Sequence, residues 1–294
     1  MNTGLDGVIL SVDYDCDLSP DLLKSDHITR FMYCIVTDKG EFQIGRELSD
    51  RNLKECLAAQ GKNFAFSVPD VSEYAEFFYQ NVQAGLSVLH ISSAHTEVSG
   101  FSNAVAARRM LSEQGVDTDE IYILEVDLIS VAYGMYVEQC YRGLKEGLSL
   151  RQIVEEHQHR ASMIMSAYLL IGPVFPSQSL SVLPQSMQKV MSGFKKYQEA
   201  YMNQSHLVLG RYVIAPRQRA VRQFLGNSMN KGVKDTNHWV ALVHNEVGQE
   251  LVLETVAMLQ KNFGFRDVKS VPGGVMNRRL IGEQYIGVAY QMMD

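Results

Sequence analysis

Cysteine is scarce in this sequence: four residues in 294, Cys16, Cys34, Cys56 and Cys140. None forms a C-x-x-C pair and no Cys/His cluster has zinc-ligand spacing, which excludes a disulfide framework and a structural zinc site as organising features. The thiols are expected to be reduced and mostly buried, as in a cytoplasmic protein. A long hydrophobic run is also missing. The most apolar segment, Met163 to Phe175, contains Gly172 and Pro173 and falls short of the roughly 20 residues a bilayer span needs. The opening MNTGLDGVILSVDYD has no basic start followed by an apolar stretch, so neither a signal peptide nor stable membrane insertion is expected. Positive charge is not in excess. Lys and Arg number 27 against 33 Asp and Glu, a net charge of −6. Such a chain is poorly suited to neutralising phosphates and hence to nucleic acid. No internal repeat or low-complexity tract stands out.

What is present is an ordinary globular composition, 46% apolar and 20% charged, with enough apolar surface to offset the entropy of ordering. The length suits two domains. Fourteen Met, 14 Tyr and 12 Phe supply adaptable apolar surface. Most of it belongs in cores, and some can line a long apolar cavity.

The first half alternates short apolar runs with amphipathic stretches. Gly7 to Val12 reads as a buried strand, Ser19-Pro20 as a helix start, and Phe31 to Val36 as a second strand. Asp38-Lys39-Gly40 reads as a turn into Glu41 to Ile44, and Ser49 as the cap of a helix to about Gln60. Phe64 to Ser67 is a short strand. Asp70 and Glu73 have capping-box spacing ahead of a helix with Val71, Tyr74, Ala75, Phe78 and Val82 on one face. Further strands are expected at Leu86 to Ile91 and Ile121 to Val126, and helices at Phe101 to Gln114 and Tyr136 to Glu146; Ser149 and Gln152 cap the next helix. This alternation predicts a parallel sheet with helices on both faces. The second half is less regular. Strands are expected at Leu207 to Ala215, Trp239 to His244, Val268 to Val271 and Tyr285 to Tyr290, with a helix at Glu250 to Phe263. A domain boundary falls near 160–175, giving domains of 1–165 and 166–294.

Several patterns suggest chemistry. Asp13, Asp15 and Asp17 alternate as in a calcium loop, but Leu18 and Lys24 stand where an EF-hand needs glycine and glutamate. His157 and His159 are two apart, so on a helix they point away from each other and no shared metal is expected. Gly100-Phe101-Ser102-Asn103-Ala104 loosely follows the hydrolase elbow, with Asp127, His238 and His244 as partners in order. The elbow serine must follow a strand directly, however, and here a polar first helical turn fits as well. His90-Ile91-Ser92-Ser93 places two hydroxyls past an apolar strand, and Ser67 ends another. At the carboxyl edge of an open sheet such hydroxyls suit a carboxylate or phosphate, although loop serines also bond their own backbone.

The order of these pieces resembles the DegV family of bacterial fatty-acid-binding proteins. Val12-Asp13 with Asp17-Leu18 is similar to the family's T-D-S-x-x-D-L. Phe66-Ser67-Val68-Pro69-Asp70 stands where it has T-S-Q-P-S, and His90-Ile91-Ser92-Ser93 with Ser99-Gly100 resembles I-S-S-x-x-S-G-T with three extra residues. Val126-Asp127 with Ser130 and Gly134, Glu146-Gly147-Leu148-Ser149-Leu150, and the closing Gly287-Val288-Ala289-Tyr290 follow in the same order. The resemblance implies a two-domain α/β fold: an N-terminal α/β/α parallel-sheet domain, a C-terminal two-layer α/β mixed-sheet domain, and a ligand tunnel between them. It implies a binding protein rather than an enzyme, without cofactor or metal, that presents a bound long-chain fatty acid to a fatty acid kinase. Ser67, Ser92 and Ser93 are then the expected contacts of the carboxylate end. Three features depart from the pattern. The usual K-G-G-R-I segment after the long helix is missing, with Ile171-Gly172-Pro173 nearby instead. Phe66 replaces the first threonine, and Leu280 stands where a late H-T-G-P-G motif has its histidine. His95, Arg278 and Arg279 are the candidate replacements. The competing readings are a ligand-free structural or regulatory member of the fold, and a serine hydrolase using Ser102.

Overall fold

The computed structural model describes residues 4–44, 52, 55, 64–94, 99–171, 196–203, 206–230 and 234–293. Its backbone divides into two compact units, Met1–Ile129 with Tyr136–Ala161, and Ser130–Met135 with Ser162–Asp294.

The strands preceding residue 162 are β1 (Val8–Asp13), β2 (Ile28–Phe31), β3 (Cys34–Thr37), β4 (Gly40–Gln43), β5 (Ala65–Ser67), β6 (Ser87–Ser93) and β7 (Ile121–Val126). The helices are α1 (Val71–Gln83), α2 (Phe101–Glu113), α3 (Ser130–Lys145), α4 (Leu150–Glu155) and α5 (His157–Ser162). Strands β1, β2, β6 and β7 form a parallel sheet in the order β2-β1-β6-β7. Every residue of β1 and β6 is buried, the mark of strands covered on both faces. One face packs under α1 and α2, where Tyr74, Ala75 and Phe78 of α1 meet Ala104, Ala107 and Leu111 of α2, Val88 of β6 and Ile121 of β7. α1 begins as the sequence pattern predicts: Asp70 accepts from the Glu73 amide while the Glu73 carboxylate accepts from the Asp70 amide. Ser149 and Gln152 form a second such box on α4.

Strands β3, β4 and β5 make a separate antiparallel sheet in the order β4-β3-β5. This corrects the expectation of one strand over Phe31 to Val36. Phe31 pairs with Asp13 in the parallel sheet, whereas Ile35 pairs with Phe42 and Phe66, so the chain changes sheets at Met32-Tyr33. The helix expected from Ser19-Pro20 is also corrected, to a single 3₁₀ turn at Leu22–Lys24. Ser19 instead turns inward, 7% exposed, and donates to buried Glu138. The helix expected from Ser49 lies outside the described residues.

After residue 162 come β8 (Ile164–Ile171), β9 (Lys196–Asn203), β10 (His206–Ile214), α6 (Arg217–Met229), β11 (Val240–Asn245), α7 (Gln249–Phe263), β12 (Val268–Pro272), α8 (Val275–Ile281) and β13 (Tyr285–Gln291). The six strands are ordered β10-β9-β8-β13-β11-β12, with only β11 and β12 parallel. Helices α6 and α7 bury Phe224, Leu225, Leu251 and Leu259 against Leu169, Leu242 and Val288 of the sheet. The Met163–Phe175 segment, read only as an apolar stretch near a boundary, supplies β8, an interior strand here; β9 and α6 were not expected. Gly287 of the Gly-Val-Ala-Tyr close has a packing reason. It lies opposite Tyr168 and Val243, and a β-carbon there would meet the Tyr168 ring and come within 2.7 Å of Val243 Cγ1.

Candidate functional site

The carboxyl ends of β1 and β6 lie side by side because the two strands pair in parallel, Ser11 opposite His90 and Val12 opposite Ile91. Alternate residues share a face, so Ser11, Asp13, His90 and Ser92 point the same way. They form a buried polar network. Asp13 Oδ1 accepts a hydrogen bond of 2.9 Å from Tyr74 Oη, and Asp13 Oδ2 accepts one from Ser92 Oγ. His90 Nδ1 bonds Ser11 Oγ at 3.0 Å, while its Nε2 lies 3.9 Å from Asp13 Oδ1. Burial holds the His90 pKa below its ordinary value, against the pull of Asp13 upward, so the ring is neutral. The same burial drives the Tyr74 hydroxyl far up, reinforced by the Asp13 charge, which keeps it a donor.

The turn after β1 adds Asp15 and Asp17, 8% and 6% exposed. Burial first, then the charges of Asp13 and Asp17, raises the Asp15 carboxyl well above the ordinary range. Cys16, between them, is raised by burial and by Asp15 and Asp17, with Arg30 opposing. The Arg30 guanidinium lies over the Tyr14 ring at 4.5 Å. Three acids so arranged suggest a cation, yet no group of His, Cys, Asp and Glu among the described residues has metal-site geometry.

The sequence singled out three serines for this edge. Ser92 and Ser93 are fully buried at the end of β6. The Ser92 proton goes to Asp13 and the Ser93 proton to the Leu128 carbonyl, at 3.0 Å. Ser67, at the end of β5, is half-buried and opposite Cys34. Among the described residues its hydroxyl reaches only the Val68 carbonyl, at 3.5 Å, a contact too long to hold it. A hydroxyl has one proton to give, so Ser67 is the serine of the three whose proton is not firmly committed.

Among the candidate replacements, His95 lies outside the described residues. Arg278 lies in α8, 10% exposed, with its Nη1 3.6 Å from Glu246 Oε1. Arg279 follows it on the same helix. Ser102 is exposed in the first turn of α2, well beyond the end of β6. That is the polar helix start, not a serine on a sharp turn directly after a strand. His157 is tied between Tyr136 Oη, at 2.7 Å, and the Glu125 carbonyl, at 2.8 Å, a structural role. A shallow cavity of about 280 Å³ lies by the start of β6, lined by Val82, Leu86, Ser87, Asp117 and Glu120. It is far from the strand ends that carry the serines. Among the described residues no helix is long and apolar enough to cross a membrane.

Sequence reasoning missed two features. One is the Asp13–Ser92–His90–Tyr74 network. Its signal was present as polar residues two apart in both buried strands. The other is Glu138, 3% exposed in α3, which accepts from Ser19 and from Arg142 at 2.6 Å.

The sequence model of the DegV family, described as an uncharacterised protein family, matches residues 9–171. No curated protein matches the sequence. Solved structures do. A Thermotoga maritima protein whose structure revealed a fatty-acid-binding function is 16% identical, with a TM-score of 0.76 over 99% of this chain and 100% of its own. The B3 protein of the Streptococcus pneumoniae fatty acid kinase, loaded with linoleic acid, is 14% identical, with a TM-score of 0.76 over 97% of this chain and 99% of its own. A stearic-acid-binding protein from Eubacterium ventriosum is 17% identical, with a TM-score of 0.72 over 96% of this chain and 97% of its own.

Proposed function

Because this chain belongs to the DegV family, we propose that it is a fatty-acid-binding protein that presents the carboxyl group of one long-chain fatty acid to a fatty acid kinase. The observation that carries this reading is the set of structures sharing its fold over nearly their whole length. One is described as revealing fatty acid binding, one as binding stearic acid, and one as the B3 protein of a fatty acid kinase loaded with linoleic acid. The role is binding rather than catalysis, and the ligand, not a cofactor or metal, is what the protein carries. Cys16, Cys34 and Cys140 are free thiols, which supports a cytoplasmic setting.

Ser67 is the hydroxyl we assign to the ligand's polar end, because its proton can turn to an acceptor without breaking a good hydrogen bond. To donate to the ligand, Ser92 and Ser93 would have to leave Asp13 and the Leu128 carbonyl.

Native mass spectrometry of the purified protein, followed by organic extraction, tests the reading. A near-stoichiometric fatty acid is the expected result. An empty protein that also fails to take up added oleic acid overturns it.

A further inference from the structure

We propose that the outer edge of β10 is a docking surface for a second copy of this chain, the two β10 strands pairing antiparallel across a twofold axis and joining their sheets. The inference goes beyond the fatty-acid reading and does not rest on it. β10 ends the six-stranded sheet, and among the described residues no strand pairs with its outer side. Such an edge presents a row of backbone N–H and C=O groups, which proteins ordinarily blunt with short strands, lysine or proline. The opposite edge is blunted in this way: β12 has five residues, carries Lys269 and ends in Pro272. β10 is not. At nine residues it is the longest of the described strands, and it exposes Leu209, Tyr212 and Ile214 at 38%, 41% and 52%. Its one arginine, Arg211, is turned to its own chain, with Nε donating to Glu199 Oε2 at 3.1 Å.

The three exposed apolar side chains share one face because the strand is irregular. Leu209 stands opposite Ala200, and Tyr212 opposite Gln198. Ala200 and Gln198 are two apart and therefore on one face. Leu209 and Tyr212 lie on that face too, with Ile214 two residues further along. In a regular strand Leu209 and Tyr212, three apart, would point to opposite faces. The difference is a bulge at Gly210-Arg211, two residues that together oppose Glu199.

The bulge selects the occupant. A regular strand laid along β10 matches its faces on one side of Gly210-Arg211 and falls out of phase on the other. A second β10 carries the same bulge at the same place. With the axis between Gly210 and Arg211, Gly210 of one copy meets Arg211 of the other, Leu209 meets Tyr212, Val208 meets Val213 and Leu207 meets Ile214. Every pair then shares a face. Leu207, Leu209, Tyr212 and Ile214 lie on one; Val208 and Val213, which stand opposite Tyr201 and Tyr197, lie on the other. The cross-strand pairs are aliphatic or aromatic, the kind that stabilise a sheet, and Arg211 meets glycine, so no like charges oppose. The contact is isologous and closes at two copies.

Size-exclusion chromatography with light scattering tests the contact on the full chain. The expected mass is twice the 33.1 kDa of one chain. Combining L209K with I214K, both at exposed positions, puts charge into the apolar pairs and is expected to halve that mass while far-UV circular dichroism stays unchanged. The register is tested separately by mixing L209C with Y212C under mild oxidation. Directly opposed residues lie within disulfide reach, so the mixture is expected to give a dimer linked between positions 209 and 212, identified by peptide mapping, and neither variant alone is expected to give it. A monomer at every concentration overturns the proposal. A dimer that survives the two lysines overturns it also, because its contact lies elsewhere, and so does a mixture without the 209–212 link. If the lysine variant loses its fold, the cross-link alone decides.

Discussion

Gly100 offers a direct test of the buried network. It precedes α2 with φ −78° and ψ −9°, a conformation any residue adopts, so Gly100→Ala changes space and nothing else. The new β-carbon would fall on Tyr74 Oη and lie 2.8 Å from Asp13 Oδ1 and 3.0 Å from Tyr74 Cζ. Tyr74 has little room to yield. Its ring is fully buried, with its centroid 4.2 Å from that of Phe31 and 5.2 Å from that of His90. Overpacking of this kind costs about 1–3 kcal/mol. If the hydroxyl is pushed off Asp13, the charge-assisted bond adds about 1.5–3 kcal/mol. Tyr74→Phe alone should cost roughly that second amount, because Asp13 keeps Ser92 but loses one donor. In the double variant the clashing oxygen is gone. Alanine should then cost less on the phenylalanine background, with a coupling of about 1 kcal/mol or more. Urea unfolding followed by far-UV circular dichroism gives the four stabilities, provided the slope m is constant across them. Additivity of the two substitutions within about 0.5 kcal/mol would refute the placement of Gly100 against Tyr74.

Asp15 sets a pH dependence. Its folded pKa is raised by burial and by neighbouring acids, so its contribution favours the fold below the ordinary carboxylate value of 3.8 and is lost as pH rises through the raised value. Asp15→Asn should therefore raise the melting temperature at neutral pH and lose that advantage in strong acid; an equal effect at both pH values would contradict it. Burial also pushes the Cys140 thiol up to about 12 and the Cys16 thiol well above its usual range. Neither should react with iodoacetamide in the native protein at neutral pH, while both react in urea, as peptide mapping would show. Native-state labelling of Cys16 or Cys140 at the unfolded rate would exclude the burial described.

Local signals carried well where the residue and its consequence lie within one turn. The Asp70–Glu73 and Ser149–Gln152 boxes formed as their spacing predicts, because a cap needs only its own helix. Ile121–Val126 and Gln249–Phe263 were legible as apolar runs of the right period. Signals failed where a distant partner decided the outcome. Ser19 preferred the buried carboxylate of Glu138, 119 residues away, to a helix start at Pro20. Phe31 to Val36 was uniformly apolar, so nothing local marked the switch at Met32-Tyr33 between two sheets. The strand β9 carries Lys196, Gln198 and Glu199 among its eight residues and therefore lacked an apolar signature, although it is interior to its sheet.

At the site the same division holds. The sequence alone placed Ser92 and Ser93 at a strand end and showed through its order of motifs which family the chain belongs to. These are matters of residue type and spacing, which the chain states directly. Which hydroxyls have a proton to give was decided only in three dimensions. Ser92 is bound by an acid 79 residues away and Ser93 by a carbonyl 35 residues away, whereas Ser67 is loosely held. The burial of Arg278 and its 3.6 Å separation from Glu246 are likewise tertiary facts, and the cost of a buried charge depends on its surroundings, not on the residue's name.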